Sequence, residues 1–169
     1  MPRRFGPPAL IAAGGLIFLI AIAYWTYAEA LANPTAVAVP DGVAGARLTQ
    51  KTTGPEAVAE VTRLHGKTFP LTSGAMALYG DGAVTLWVSG ASASPIAAEM
   101  VRTMTEKIAE NRSPFTPRGM RQVNGRAVYE LVGLGQRHFY FQSGALVVWL
   151  TADEGVAEKA LEEVMAYYP

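Results

Sequence analysis

Few side chains in this sequence are equipped for chemistry, and their spacing decides what they can do. His65 and His138 are the only imidazoles, and cysteine is absent. That excludes a thiol nucleophile, a zinc-thiolate site, an iron–sulfur cluster and a disulfide framework. Neither histidine has a second histidine or a carboxylate at helical ligand spacing, so no metal is expected. His65-Gly66-Lys67-Thr68 ends like a phosphate-binding loop, but the full pattern needs glycine where Val61 stands. His65 fits the C-terminal end of a helix instead. Gly133-Leu134-Gly135 lacks the third glycine and the strand-to-helix context of a dinucleotide site, and reads as a hairpin turn. No serine stands in a Gly-x-Ser-x-Gly elbow, and no acid–base pair for hydrolysis is visible. Haem held by His138 and a methionine would lack any covalent attachment motif. The chain is read as non-enzymatic and without a cofactor.

What remains is recognition. Phe115 lies between Pro114 and Pro117, with Arg112 and Arg118 outside them, in RSPFTPRGM (112–120). An apolar tip between arginines fits a docking loop for a protein or for lipid headgroups. A phenylalanine folded back on the core is the competing reading. Charge is segregated: residues 112–137 carry five arginines and one acid, whereas 153–163 carry five acids and one base. These read as two solvated surfaces of opposite sign. With 14 basic and 14 acidic residues overall, no nucleic-acid footprint is expected.

The elements that position these residues begin with an appendage, since 169 residues fit one domain and an extra segment. Residues 9–28, ALIAAGGLIFLIAIAYWTYA, hold no charge across 20 positions, enough to cross a hydrocarbon core of ~30 Å as a helix. Pro7 and Pro8 suit its first turn. Tyr24, Trp25 and Tyr27 form an aromatic belt at the far end, and Arg3 and Arg4 flank the near end. The positive-inside rule then makes residues 1–8 a cytoplasmic tail of a single-pass protein of the cell membrane, with the rest extracytoplasmic, periplasmic in a bacterium. The alternative is secretion after cleavage near Ala32, because Ala30-Leu31-Ala32 has the small-x-small form of a signal site. Residues 29–52, interrupted by Pro34, Pro40, Gly42 and Gly45, read as a linker with short extended pieces near 36–39 and 46–50.

The exported domain is expected over 53–169. Thr53-Gly-Pro-Glu56 has capping-box form ahead of a helix over 54–65, with Val58, Val61 and Leu64 on one stripe and Gly66 as its stop. Two hairpins follow, turning at Asp81-Gly82 and Ser143-Gly144, each leading into a helix. Ser94 is the expected cap of the first helix and Asp153 of the second. Between them, strands at 120–123 and 126–132 flank Asn124-Gly125. GAVTLWVSG (82–90) and GALVVWLTA (144–152) nearly repeat each other, so Gly82 matches Gly144, Trp87 matches Trp149 and, after a one-residue gap, Met104 matches Met165. This reads as an internally duplicated ββα unit, about 74–110 and 136–168. The fold class is α+β, a two-layer sandwich of antiparallel sheet and helices. The arrangement resembles the ferredoxin-like and dimeric α+β-barrel folds, a likeness that carries no activity with it.

Alternation sorts the strands into two faces. Face one holds Ala77, Tyr79, Val84, Leu86, Val88, Phe139, Phe141, Leu146, Val148 and Leu150, and is expected beneath the helices. Face two holds Met76, Leu78, Thr85, Trp87, His138, Tyr140, Gln142, Val147 and Trp149, with Met76 opposite Trp87 and His138 opposite Trp149. Aromatic rings beside polar groups need a cover. Three covers are open: the helix over 54–65, a protein partner, or a small apolar ligand oriented by His138, Tyr140 and Gln142. The expected role is an accessory subunit or protein-binding module of a membrane complex. A small-ligand-binding or sensory module is the alternative.

Overall fold

The computed structural model describes residues 6–110 and 113–169; Arg3, Arg4 and Arg112 lie outside the described residues. Helix α1 (Pro7–Ala32) has 26 residues, none of them buried, and is about 39 Å long at 1.5 Å per residue. Among the described residues it is the one helix long and apolar enough to cross a membrane, and the same length and composition fit a signal sequence. Asn33 closes it. Its N–H donates to the Glu29 carbonyl at 2.8 Å and its side-chain amide to Glu29 Oε1 at 2.7 Å.

Within residues 29–52, expected as a linker with short extended pieces, the piece near 46–50 lies in a strand and further short pairings hold the rest to the sheet. The chain enters the sheet two residues after α1, as β1 (Thr35–Ala36). β2 (Gly42–Val43) and β3 (Ala46–Thr53) make a tight hairpin, and β3 runs along β4 (Leu71–Tyr79). Proline and glycine here mark turns between paired pieces rather than loose chain. The Tyr79 and Tyr168 hydroxyls donate to the carbonyls of Pro40 and Ala38 at 3.0 and 2.7 Å, tying this segment to the core. Burial, and then the neighbouring phenols, push both hydroxyls well above the usual tyrosine range.

Helix α2 (Pro55–His65) starts from Gly54 with no side-chain cap, so the capping box does not form. Thr53 is held in the ladder opposite Ala75 and is not free to turn back. Gly66 ends the helix at φ 64°, a conformation glycine adopts without strain. The chain continues through β4, β5 (Val84–Ala91), α3 (Ser94–Ala109), β6 (Thr116–Val123), β7 (Arg126–Gly133), β8 (Gln136–Ser143), β9 (Leu146–Ala152) and α4 (Ala157–Tyr167). Neither expected cap is used. α3 begins from Ala93 and α4 from Val156. The Asp153 carboxylate instead accepts from Gln136 Nε2 at 2.8 Å.

The result is a mixed α+β molecule built on one sheet, ordered β2-β3-β4-β5-β9-β8-β7-β6, antiparallel except where β1 lies parallel to β4. The first hairpin has the expected register, Tyr79 opposite Val84 and Met76 opposite Trp87. The second is displaced by two residues. Its loop is Gly144-Ala145, so Tyr140 opposes Trp149 and His138 opposes Thr151. Glycine supplies the positive φ that a two-residue reversal needs at its first loop position. A slip of two keeps every side chain on its face, so the sorting survives the change of partners.

Helices lie on both sides of the sheet, which corrects the two-layer expectation. α4 covers face one, where Tyr79, Leu86, Phe139, Phe141, Val148 and Leu150 are fully buried with Leu161, Val164 and Met165. α3 packs Ala97, Val101 and Ile108 on face two against Tyr140, Val147 and Leu131. α2 crosses Gly74 on the same face, where an added Cβ would meet Val58 Cγ2 at 3.0 Å. The physical reason is that both faces carry apolar side chains, so both require a layer.

The two charged stretches are not separately solvated. Across face one, Arg137 bonds Glu130 at 2.7 Å and Glu158 at 2.5 Å, and Arg121 reaches Glu158 at 2.5 Å. Arg126 donates to the carbonyls of Tyr168 and Met165 at the end of α4. Arg121, Arg126 and Arg137 of the basic stretch, with Glu158 of the acidic one, thus join the sheet to the last helix.

Candidate functional site

Strand register assembles face two into a continuous row. Met120 on β6 opposes Tyr129 on β7, which opposes Tyr140 on β8, then Trp149 on β9, Trp87 on β5 and Met76 on β4. The Tyr129 and Tyr140 rings stack at 4.7 Å with planes 6° apart, and Tyr140 and Trp149 at 5.5 Å and 8°. Directly opposed aromatics on one face lie close enough to stack in this way.

α3 divides the row. Beneath it, Tyr140 is buried and donates its hydroxyl to Thr105 Oγ1 at 3.0 Å. Burial raises the phenol above its ordinary range, against the lowering effect of Thr105, so it stays protonated. Gln142 holds the start of α3, its amide donating to the Ser94 carbonyl and hydroxyl at 2.9 and 3.0 Å.

His138 is 3 % exposed. Its Nε2 lies 2.9 Å from the Gly133 carbonyl and its Nδ1 2.9 Å from Thr151 Oγ1. A carbonyl only accepts, so Nε2 carries the proton, and Nδ1 receives the hydroxyl of Thr151. Trp149 Nε1 donates to the same Thr151 oxygen at 3.2 Å. Burial depresses the imidazole below its ordinary range, outweighing the opposing effect of the Gly133 carbonyl. His138 is therefore a neutral packing residue whose two nitrogens are both engaged.

Phe115 does not project as a docking tip. It is half-buried, its ring 4.6 Å from His138 and 5.2 Å from Trp149. Gly133 makes the seat: a Cβ there would meet Phe115 Cδ1 at 2.7 Å and the Pro114 carbonyl at 2.8 Å. Arg118 is exposed on β6, beside the irregularity between Pro117 and Gly119. Arg112 lies outside the described residues.

The sequence-predicted residues thus separate. His138, Tyr140, Gln142 and Phe115 are held in packing. Trp149 is half-buried among them. Met76 on β4, beside Glu56, Ala59 and Glu60 of α2, and Trp87 on β5 stay half-buried. Arg118 stands on the other flank, with β7, β8, β9 and β5 between its strand and β4. On that flank Tyr129 is half-buried and Met120 is 55 % exposed. A cleft of about 670 Å³ runs there, between Val101, Arg102 and Thr105 of α3 and Arg126, Tyr129 and Gln142 of the sheet.

Sequence reasoning missed Tyr129, Met120, Thr105 and Thr151. The Asn124-Gly125 and Leu134-Gly135 turns carried the signal, since alternation continued across them places Tyr129 beside Tyr140. No group of three histidine, cysteine or acidic side chains placed to hold a metal occurs among the described residues. Comparison with protein-family models, with curated proteins and with solved structures finds no match.

Proposed function

We propose that this chain is a membrane-anchored, extracytoplasmic protein-binding module that serves as an accessory subunit or assembly factor of a membrane complex. The observation that carries the reading is the incomplete cover on face two. Two of the chain's own helices pack on that face, and Trp87 and Met76 are still left half-buried. Tryptophan and methionine are enriched in the cores of protein interfaces, and a half-covered tryptophan retains apolar area for a partner to bury. Retention of α1 as an anchor is supported by its apolar run, which is longer than the usual signal core of ~7–15 residues. The helix continues unbroken through Ala32, and β1 begins after a further two residues.

The duplication is proposed for the hairpins alone. β5 and β9 lie side by side with Trp87 opposite Trp149, as two copies of one hairpin would. A two-fold axis through that pair keeps each face on its own side, yet α3 and α4 lie on opposite faces. The likeness to ferredoxin-like and dimeric α+β-barrel folds is not carried further.

The test is co-purification of the full chain from gently solubilised membranes. A stoichiometric protein partner, lost on Trp87→Ala and retained on Arg102→Ala, is the expected result. A second reading, a small-ligand or sensory module, is favoured by the cleft beside α3, whose size suits a small molecule. A chain that purifies alone with a small molecule, released by Tyr129→Ala, would replace the first reading with this one.

A further inference from the structure

We infer that the segment at the end of α2 and the loop after it, residues 63–69, docks on the lipid headgroups of the same membrane that α1 spans. The inference rests on the anchor reading above and adds a second membrane contact to it.

Register places the segment. Thr35 opposes Ser73 in the parallel pairing of β1 with β4. Leu71 then lies two positions nearer α1, about 7 Å along the strand. The loop that feeds Leu71 therefore sits level with Asn33 and Pro34, where α1 leaves the bilayer. Tyr27, the last ring of the aromatic belt, lies five residues before Ala32, about 8 Å along the helix. Headgroups extend over a comparable distance beyond the hydrocarbon.

Composition says what the segment meets there. The apolar stripe of α2 buries Ala57 and half-buries Val58 and Val61, but leaves Leu64 58 % exposed. Leu64 was expected on the buried stripe, and the stripe runs on past what the sheet covers. Around Leu64 stand Arg63, His65 and Lys67. Phe69 is half-buried, with the Lys67 ammonium 4.8 Å over its ring and the His65 ring edge-on at 5.1 Å. The acid beside them, Glu60, is paired with Arg63. An exposed leucine three residues from Lys67 and beside an ion-paired arginine, at headgroup height, fits shallow insertion, with Lys67 favouring an anionic surface. A docked protein would have to share that space with the membrane itself.

The absence of cysteine allows a direct test in the full chain. Leu16→Cys, Leu64→Cys and Leu134→Cys are each labelled with an environment-sensitive fluorophore. The labelled chains are reconstituted into vesicles of phosphatidylcholine and phosphatidylglycerol that carry, in parallel preparations, a quencher deep in the acyl region to read position 16 and one shallow in it to read positions 64 and 134. Leu134 is 76 % exposed at the opposite end of the sheet and serves as the distal control. Probes at 16 and 64 should be quenched, that at 64 by about two-fold, and that at 134 should not. Quenching at 16 without quenching at 64 overturns this inference and leaves the anchor standing. No quenching at 16 overturns the anchor and this inference with it. Adding Lys67→Glu should reduce quenching at 64, and an unchanged signal would overturn the electrostatic part.

Discussion

The two faces of the sheet are closed by different means. On face one, α4 is attached twice over: apolar side chains fill the centre, and Arg121, Arg126 and Arg137 tie the rim of the sheet to the helix. On face two, the covering helices carry ion pairs within themselves, Arg63 with Glu60 on α2, and Arg102 with Glu99 and Glu106 on α3. α2 and α3 hold to the sheet by packing and a few neutral hydrogen bonds. Face one is closed by packing and ion pairs together, and face two by packing with Trp87 left half-buried.

The sharpest way to break that contrast is truncation at the centre of each face. Phe139→Ala should cost about 3–5 kcal/mol, as expected for a fully buried aromatic. Trp87→Ala should cost about 1–2 kcal/mol, since only part of its area is removed from water. Denaturant unfolding of the two variants compares them, and equal losses would show that face two is packed as completely as face one. Gly133→Ala comes next. The clash with Phe115 and the Pro114 carbonyl should cost about 1–3 kcal/mol and raise proton exchange at His138, followed by NMR. At the rim of face one, Arg137→Ala should cost about 1.5 kcal/mol, near the low end for charged hydrogen bonds because Glu158 is half exposed. Lys159→Ala, whose partner Glu163 lies 3.8 Å away on the surface, should leave the unfolding midpoint in place.

A pH dependence separates the faces by window. His138 has a folded pKa below its unfolded value. Between the two values the unfolded chain binds the extra proton, so stability rises with pH there and falls as the medium is acidified below about 6.5. Glu158 of face one is depressed: burial opposes the shift, and the bonds from Arg121 and Arg137 outweigh it. Its contribution is present above about pH 4.5 and is lost as pH falls further. Plots of stability against pH for the parent chain and His138→Gln should differ in slope in the upper window and run parallel in the lower one. A difference confined to the lower window would mean that the imidazole is not held neutral.

Much of face one was legible in the sequence. Tyr79, Leu86, Phe139 and Phe141 fall at alternate positions about glycine-containing turns, so a period of two sorts them onto one face. The slip in the second hairpin was not legible, because Ser143-Gly144 and Gly144-Ala145 are both acceptable reversals and differ only in partners. Extended pieces near 36–39 and 46–50 were legible, but their pairing into the sheet was not, because prolines and glycines look the same whether they end a linker or a turn. Which helix covers which face was also out of reach, since both faces carry apolar side chains. Phe115 shows the limit most clearly: whether it projects or folds back depends on the room at Gly133, 18 positions further on.

The two-residue junction between α1 and β1 has a mechanical consequence. A pull on α1 along its axis is delivered through Asn33 and Pro34 into β1, which lies beside β4 and parallel to it. The load runs along the strands and across their hydrogen bonds, so these bonds must break together in shear rather than one after another. Force travelling up from the bilayer would reach the middle of the sheet before it reached any loop.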